Sequence, residues 1–200
     1  MHLRLYFAHG ANCSDRVRWV LAYKGVPFEG IDVDANPDDA AFHSVSPFGR
    51  VPVLIAGRDT LTESMAIVEY LEEVYPEPSL MSRHPLERAR IREVCEAVNS
   101  SIHPVQNSSV LRTIRPDWTK EEMRPFRSHW IVSNLEKLRP MLWRSSSYAI
   151  GNHFTLADIF VAVIYRKGAA LSGQAREAQP YRSHWEFLMS QPSIAASCPE

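Results

Sequence analysis

RVPVLIAGRDTLTESMAIVEYLEEVY, residues 50–75, changes its hydrophobic period halfway along. VPVLIA (51–56) is an apolar run of strand length, GRD (57–59) has the composition of a hairpin turn, and TLT (60–62) reads as a short return strand. ESMAIVEYLEEVY (63–75) then sets Met65, Val68, Leu71 and Glu72 around a helix that ends before Pro76. Upstream, LRLYF (3–7) reads as a strand and DRVRWVLAYKG (15–25) as an amphipathic helix, with Val17, Val20, Leu21 and Lys24 at spacings of three and four and Gly25 as its stop. PFEGIDVD (27–34) gives a second strand, and ANPDDAAFHSVSP (35–47) is a polar segment with no element assigned. The order strand, helix, strand, loop, strand, strand, helix predicts a compact α/β unit.

Beyond residue 82 the strand-like alternation disappears and helical periodicity takes over. Helices are expected at about 84–112, 119–143, 155–171 and 182–189. FTLAD (154–158) is a helix start in which Thr155 caps, Asp158 is its box partner, and Phe154 can staple onto Ile159. A boundary within Pro76–Ser82 yields an α/β domain at 1–80 and an all-α domain at 84–200.

The 200 residues carry 22 basic and 23 acidic side chains, a net charge of −1, which leaves no basic surface for nucleic acid. The 45% apolar and 22% charged content is that of an ordinary globular protein. Three scattered cysteines, Cys13, Cys95 and Cys198, fit a reducing compartment better than a disulfide framework. MHLRLYFAHG (1–10) lacks an apolar run of signal-peptide length, and IFVAVIY (159–165) is too short to span a bilayer. A cytoplasmic protein with no membrane partner is expected. The histidines show no metal-ligand spacing and no Gly-rich phosphate loop is present, so no metal is expected.

Two motifs carry chemistry. A Val51–Pro52 bond can be held cis, which turns the Val51 backbone outward as an edge that an extended peptide can pair with; the plainer alternative is a proline that merely starts an edge strand. Glu63 and Ser64 stand where the hairpin enters a helix, whose free N–H groups attract a carboxylate, although Ser64 alone would also serve as an ordinary N-cap. Only a hairpin separates the two motifs, so together they could grip one small anionic peptide.

With these motifs the chain resembles the cytosolic glutathione transferases over nearly its whole length: a thioredoxin-like α/β N-terminal domain and an all-α C-terminal domain. The resemblance implies glutathione as cofactor, with Val51 pairing its cysteinyl backbone, Pro52 cis, Glu63 and Ser64 holding the γ-glutamyl end, and Arg50 a clamp for the glycyl carboxylate. It also implies a homodimer and a small electrophilic substrate. CSDRVRWVLAYKGVPFE (13–29) and IHPVQNSSVL (102–111) are most similar to the zeta class, the maleylacetoacetate and maleylpyruvate isomerases. In that class the glutathione thiolate adds to a conjugated cis double bond, the bond rotates, and the thiolate leaves.

At several positions the chain departs from the zeta pattern. The serine hydroxyl that donates to the glutathione sulfur has no counterpart, because Ala11 and Asn12 stand there. The donors left at that corner are Asn12, Ser14 and the helix N–H groups. Cys13, with Arg16 one turn away, is a nucleophile by analogy with the beta class, an auxiliary, or a packing residue; at this helix start its thiol is expected to ionise more readily. His103 either binds glutathione and moves a proton or is a helix-interior histidine beside Pro104. The class's substrate arginine corresponds to Ala170, with Arg166 one turn earlier as its replacement and Arg16 as a second cation on the substrate side. The expected activity is glutathione addition, with isomerisation of a maleyl acid as its leading form. The alternatives are a Cys13-dependent thiol transferase or dehalogenase, and a non-catalytic binding protein of the same fold.

Overall fold

The structure, a computed structural model, describes residues 2–37 and 39–200. The chain folds into two compact units, one formed by the residues up to Ser79 with Pro192–Glu200, the other by Leu80–Gln191. The residues from Pro192 on, expected with the helical domain, thus belong to the first unit.

In the first unit, β1 (Leu3–Phe7) leads into α1 (Asn12–Tyr23), which crosses over to β2 (Glu29–Asp32), parallel to β1 with Arg4 opposite Glu29 and Phe7 opposite Asp32. α1 ends in a Schellman motif: Val26 N–H bonds Leu21 O at 2.9 Å and Gly25 N–H bonds Ala22 O at 3.1 Å. Gly25 takes φ +63°, a conformation that costs a side-chain-bearing residue more, which is why the sequence stops there. β3 (Val53–Ala56) and β4 (Asp59–Thr62) form a hairpin about Gly57, at φ +65°, and complete a sheet of order β2-β1-β3-β4. All four residues of β3 are buried, as befits a central strand covered on both faces. β3 begins two residues later than expected, because Pro52 has no N–H to give a ladder.

The segment expected to lack structure holds α2 (Ala40–Val45), capped by Asp39, whose Oδ1 accepts Ala41 N–H at 2.9 Å; Asp38 lies outside the described residues. α2 places Phe42 in a cluster with Tyr6, Val53 and Ile55, against which Val51 packs. α3 (Ser64–Val74) packs against α1. Lys24, nominally the polar end of α1, has a fully buried ammonium: Nζ lies 2.8 Å from Glu72 Oε2, 2.7 Å from Tyr75 O and 2.8 Å from Pro78 O. Each of its three donors has an acceptor, which is what makes a buried lysine tolerable.

The second unit starts with α4 (Pro85–Glu96), then a π-helical stretch (Ala97–Ile102), α5 (His103–Gln106) and α6 (Ser108–Ile114). The single helix expected over 84–112 is therefore broken. Pro104 lacks the N–H that would continue the ladder, and Asn107, at ψ +126°, caps a new helix by accepting Ser109 N–H at 2.9 Å. α7 (Lys120–Leu138) ends five residues short of expectation, giving way to a 3₁₀ turn containing Pro140. α8 (Leu156–Leu171) is apolar on all sides and buried from Leu156 to Tyr165. A methyl on Gly168 would come within 3.0 Å of Ile131, so glycine sets how closely α7 and α8 approach. α9 (Gly173–Arg176) and α10 (Tyr181–Met189) complete this unit. α11 (Pro192–Ser197) returns to the first, where Trp19 donates from Nε1 to Ser197 Oγ at 3.1 Å. Among the described residues no helix is long and apolar enough to cross a membrane.

Candidate functional site

Three places in the first unit bear on the sequence expectations: the corner between β1 and α1, the bond ahead of β3, and the start of α3. At the corner, Gly10 turns the chain at φ +66° and Ala11 occupies the N-cap of α1 with no side-chain cap. The first N–H groups of α1 therefore have no side-chain acceptor from the cap. Asn12 is 4% exposed, and its Nδ2 is buried with no hydrogen-bond partner among the described residues. Cys13 follows, half-buried, and is not in a disulfide. Ser14, expected to donate into the site, is instead fully buried, with its Oγ accepting Ala8 N–H at 3.4 Å. It braces the β1–α1 turn.

Val51–Pro52 is cis. Val51 lies outside the registers of both ladders, which begin at Val53, so its backbone borders the sheet without belonging to it. Arg50 is fixed through its backbone: Ser46 Oγ accepts Arg50 N–H and donates to Arg50 O, both at 2.8 Å, and the side chain is exposed.

Glu63, the residue before α3, has φ +68° and ψ +116° and makes no side-chain cap. A non-glycine residue held there costs on the order of 1–3 kcal/mol. The consequence is an open helix start whose N–H groups suit an anion. Ser64 is 2% exposed, and its Oγ accepts from Arg16 Nη1 at 3.2 Å. Arg16, expected on the substrate side, is thus corrected to the interior: it is fully buried and ties α1 to the start of α3. Arg18 remains nearer the surface, 3.4 Å from Asp15 Oδ1 and stacked 4.8 Å over Phe7.

The other two expected residues lie in the second unit. His103 is half-buried on α5, with Nδ1 3.0 Å from Gln106 Nε2. Arg166, on α8, lies 5.3 Å from the ring centre of Trp185 and lines a hollow of about 460 Å³ with Ala170, Arg176 and Arg182. Arg182 is tied to Glu177 and Glu186, so the hollow carries both signs of charge. Sequence reasoning missed Gln106, Arg124 and Arg127. Arg127 donates to Gln106 O at 2.8 Å and to Gln106 Oε1 at 3.3 Å, while Arg124 Nη2 reaches Ala170 O at 2.7 Å. Burial, and secondarily the Arg124 charge, hold the Arg127 guanidinium below the usual arginine value. The one available signal was the three-residue spacing of His103 and Gln106 on a helix.

A βαβ-ββα unit with a cis-proline ahead of its central strand and two uncapped helix starts, joined in sequence to an all-helical unit, defines a glutathione transferase. Residues 5–79 match the family model "Glutathione S-transferase, N-terminal domain". The chain is 36% identical over 186 residues to a maleylacetoacetate isomerase of Pseudomonas aeruginosa, covering 87% of each protein. Among solved structures, a bacterial maleylpyruvate isomerase described as a zeta-class glutathione transferase superposes with TM-score 0.87 at 26% identity, over 98% of this chain and 96% of the other. A maleylacetoacetate isomerase from Anaeromyxobacter dehalogenans, solved with glutathione in its active site, gives TM-score 0.81 at 32% identity, over 98% and 94%. The chain belongs to the zeta-class glutathione transferases, the family of the maleylacetoacetate isomerases.

Proposed function

We propose that this enzyme uses glutathione to isomerise a maleyl-type dicarboxylate from cis to trans. The observation that carries the proposal is the open start of α1, where Ala11 gives no cap and the Asn12 amide keeps a buried donor unmatched. Such a donor is costly to leave unpaired, and a thiolate is a partner that would satisfy it. The residues fit glutathione in two further respects: the Val51 backbone stands outside the ladders, and the α3 start at Glu63 and Ser64 offers N–H groups to a carboxylate. When bound, glutathione supplies a thiol that adds reversibly to the conjugated double bond, so that rotation can occur and no glutathione is consumed.

This chain's residues have the following parts. Asn12 and the first N–H groups of α1 stabilise negative charge on sulfur, in place of the class's serine. Val51, beside cis Pro52, holds the peptide backbone; Glu63 and Ser64 hold its γ-glutamyl end, with Ser64 oriented by Arg16. Arg50 faces the glycyl carboxylate, and His103 and Arg166 serve the substrate. The similarity to isomerases over most of the chain supports the choice of substrate. Cytoplasmic location and a homodimeric state belong to the same proposal, supported by cysteines that form no disulfide and by the family resemblance.

The test is an assay of maleylacetone and maleylpyruvate isomerisation with and without glutathione, beside a chloro-aromatic acceptor. Glutathione-dependent formation of the trans acid is expected, and conjugation without isomerisation would overturn the choice of reaction. A second mechanism, a mixed disulfide at Cys13, is favoured by the half-exposed thiol on the first turn of α1. Full activity of Cys13→Ser would exclude it.

A further inference from the structure

The His103 ring is held by a chain of groups whose donor and acceptor roles are forced. α7 grips the chain on either side of His103: Trp130 Nε1 donates to Ile102 O, just before α5, at 3.0 Å, and Arg127 Nε donates to Gln106 O, the last residue of α5, at 2.8 Å. Arg127 also donates from Nη2 to the Gln106 side chain at 3.3 Å, and Gln106 is 2% exposed. A guanidinium has donors only, so the amide atom facing it is the oxygen. The amide nitrogen, which also only donates, is thereby turned to His103 Nδ1, 3.0 Å away. Nδ1 must then present its lone pair, and the ring proton sits on Nε2.

We propose that Arg127 and Gln106 are positioning residues that fix His103 as the neutral Nε2–H tautomer, so that it offers the substrate a hydrogen-bond donor and not a base. A proton on Nδ1 would set N–H against the Gln106 NH₂, so this hydrogen bond exists only with the neutral ring. An Nε2–H donor suits an anionic oxygen, the carboxylate or developing enolate of a maleyl-type acid, and in this the inference rests on the substrate reading given above. Gln106 thus does through hydrogen bonding what a carboxylate partner would reverse: a carboxylate accepts only, draws the proton to Nδ1 and leaves Nε2 as a base.

Imidazole ¹⁵N NMR of the substrate-free protein at neutral pH reads the tautomer directly. Nδ1 of His103 is expected at the shift of a bare, lone-pair nitrogen and Nε2 at that of a protonated one, assigned by their loss in His103→Asn. Gln106→Glu is expected to invert the pair and lower kcat about a hundredfold with little change in KM, as for loss of a donor to a developing anion. Arg127→Met frees the amide to turn and is expected to give a mixture of tautomers, which Arg127→Lys restores towards Nε2–H. A proton found on Nδ1 in the unaltered protein, or an uninverted pattern in Gln106→Glu, overturns the proposal; the first measurement stands even if a variant fails to fold. Because the tautomer is read without substrate, failure of the isomerase assay would leave this result in place.

Discussion

Two helix starts in this molecule receive opposite treatment. At α8 the capping groups are matched: Asp158 Oδ2 accepts Thr155 N–H at 2.9 Å and Thr155 Oγ1 at 3.0 Å, while Oδ1 lies 2.7 Å from Ala149 N and 2.9 Å from His184 Nε2. At α1 the cap is an alanine with no side-chain acceptor, and the Asn12 amide beside it has an Nδ2 donor unmatched among the described residues. Both ends carry the same helix dipole. The difference lies in what the rest of the protein does with it. A closed start fixes the fold, whereas an open one leaves a field and donors for a ligand to use.

That contrast is broken most severely at α8. Asp158→Ala strands several buried donors and is expected to cost about 3–5 kcal/mol, seen as a fall in melting temperature of roughly 6–20 °C. Ser64→Ala, at the start of α3, removes an acceptor of the buried Arg16 guanidinium. A loss of about 1.5–3 kcal/mol is expected in denaturant titration, together with weaker retention on immobilised glutathione. Ala11→Ser supplies the missing cap, and stability should rise by about 1 kcal/mol. The same variant sharpens the functional side of the contrast if the bound glutathione thiol, followed by its thiolate absorbance, ionises at lower pH. Asn12→Ala has the smallest expected effect on stability, within about 0.5 kcal/mol, because lost packing is offset by removal of an unmatched buried amide. Its turnover should nonetheless drop about a hundredfold. A large destabilisation without loss of turnover would reverse the assignment of Asn12.

Unmodified protein gives the parallel check. Glutathione at about a hundred times its Kd should stabilise the native state by about 2.7 kcal/mol. An unmoved melting temperature would show that the open starts of α1 and α3 bind something else.

Much of this was legible in the chain because it depends on near neighbours. Gly25 ends α1, Thr155 and Asp158 begin α8, and Pro52 delays β3, each through a rule that spans a few residues. α2 was missed because six residues with a single buried side chain, Phe42, make too short a periodic signal. The break between α5 and α6 does not follow from periodicity, although Pro104 and Asn107 mark it, since the apolar pattern on either side reads as one helix. Burial was the least legible property. Arg16 and Lys24 are charged residues on an amphipathic helix, yet both are interior, each held by a partner about 48 positions away in sequence.

Near-neighbour patterns in the chain were enough to set the order of elements, most of their ends, and the cis-proline and helix-start motifs that mark a glutathione transferase. Long-range packing alone settled which polar groups are used up internally and which are left over. Ser14 and Arg16, read from the sequence as site residues, are buried and bonded within the first unit, whereas Asn12, read the same way, keeps a buried donor unmatched among the described residues, and Gln106 and Arg127 form a bonded support for His103. This follows because hydrogen-bond partners depend on which distant segments meet. A residue's type states what it is able to donate or accept, and only its packed surroundings fix whether that capacity is already taken.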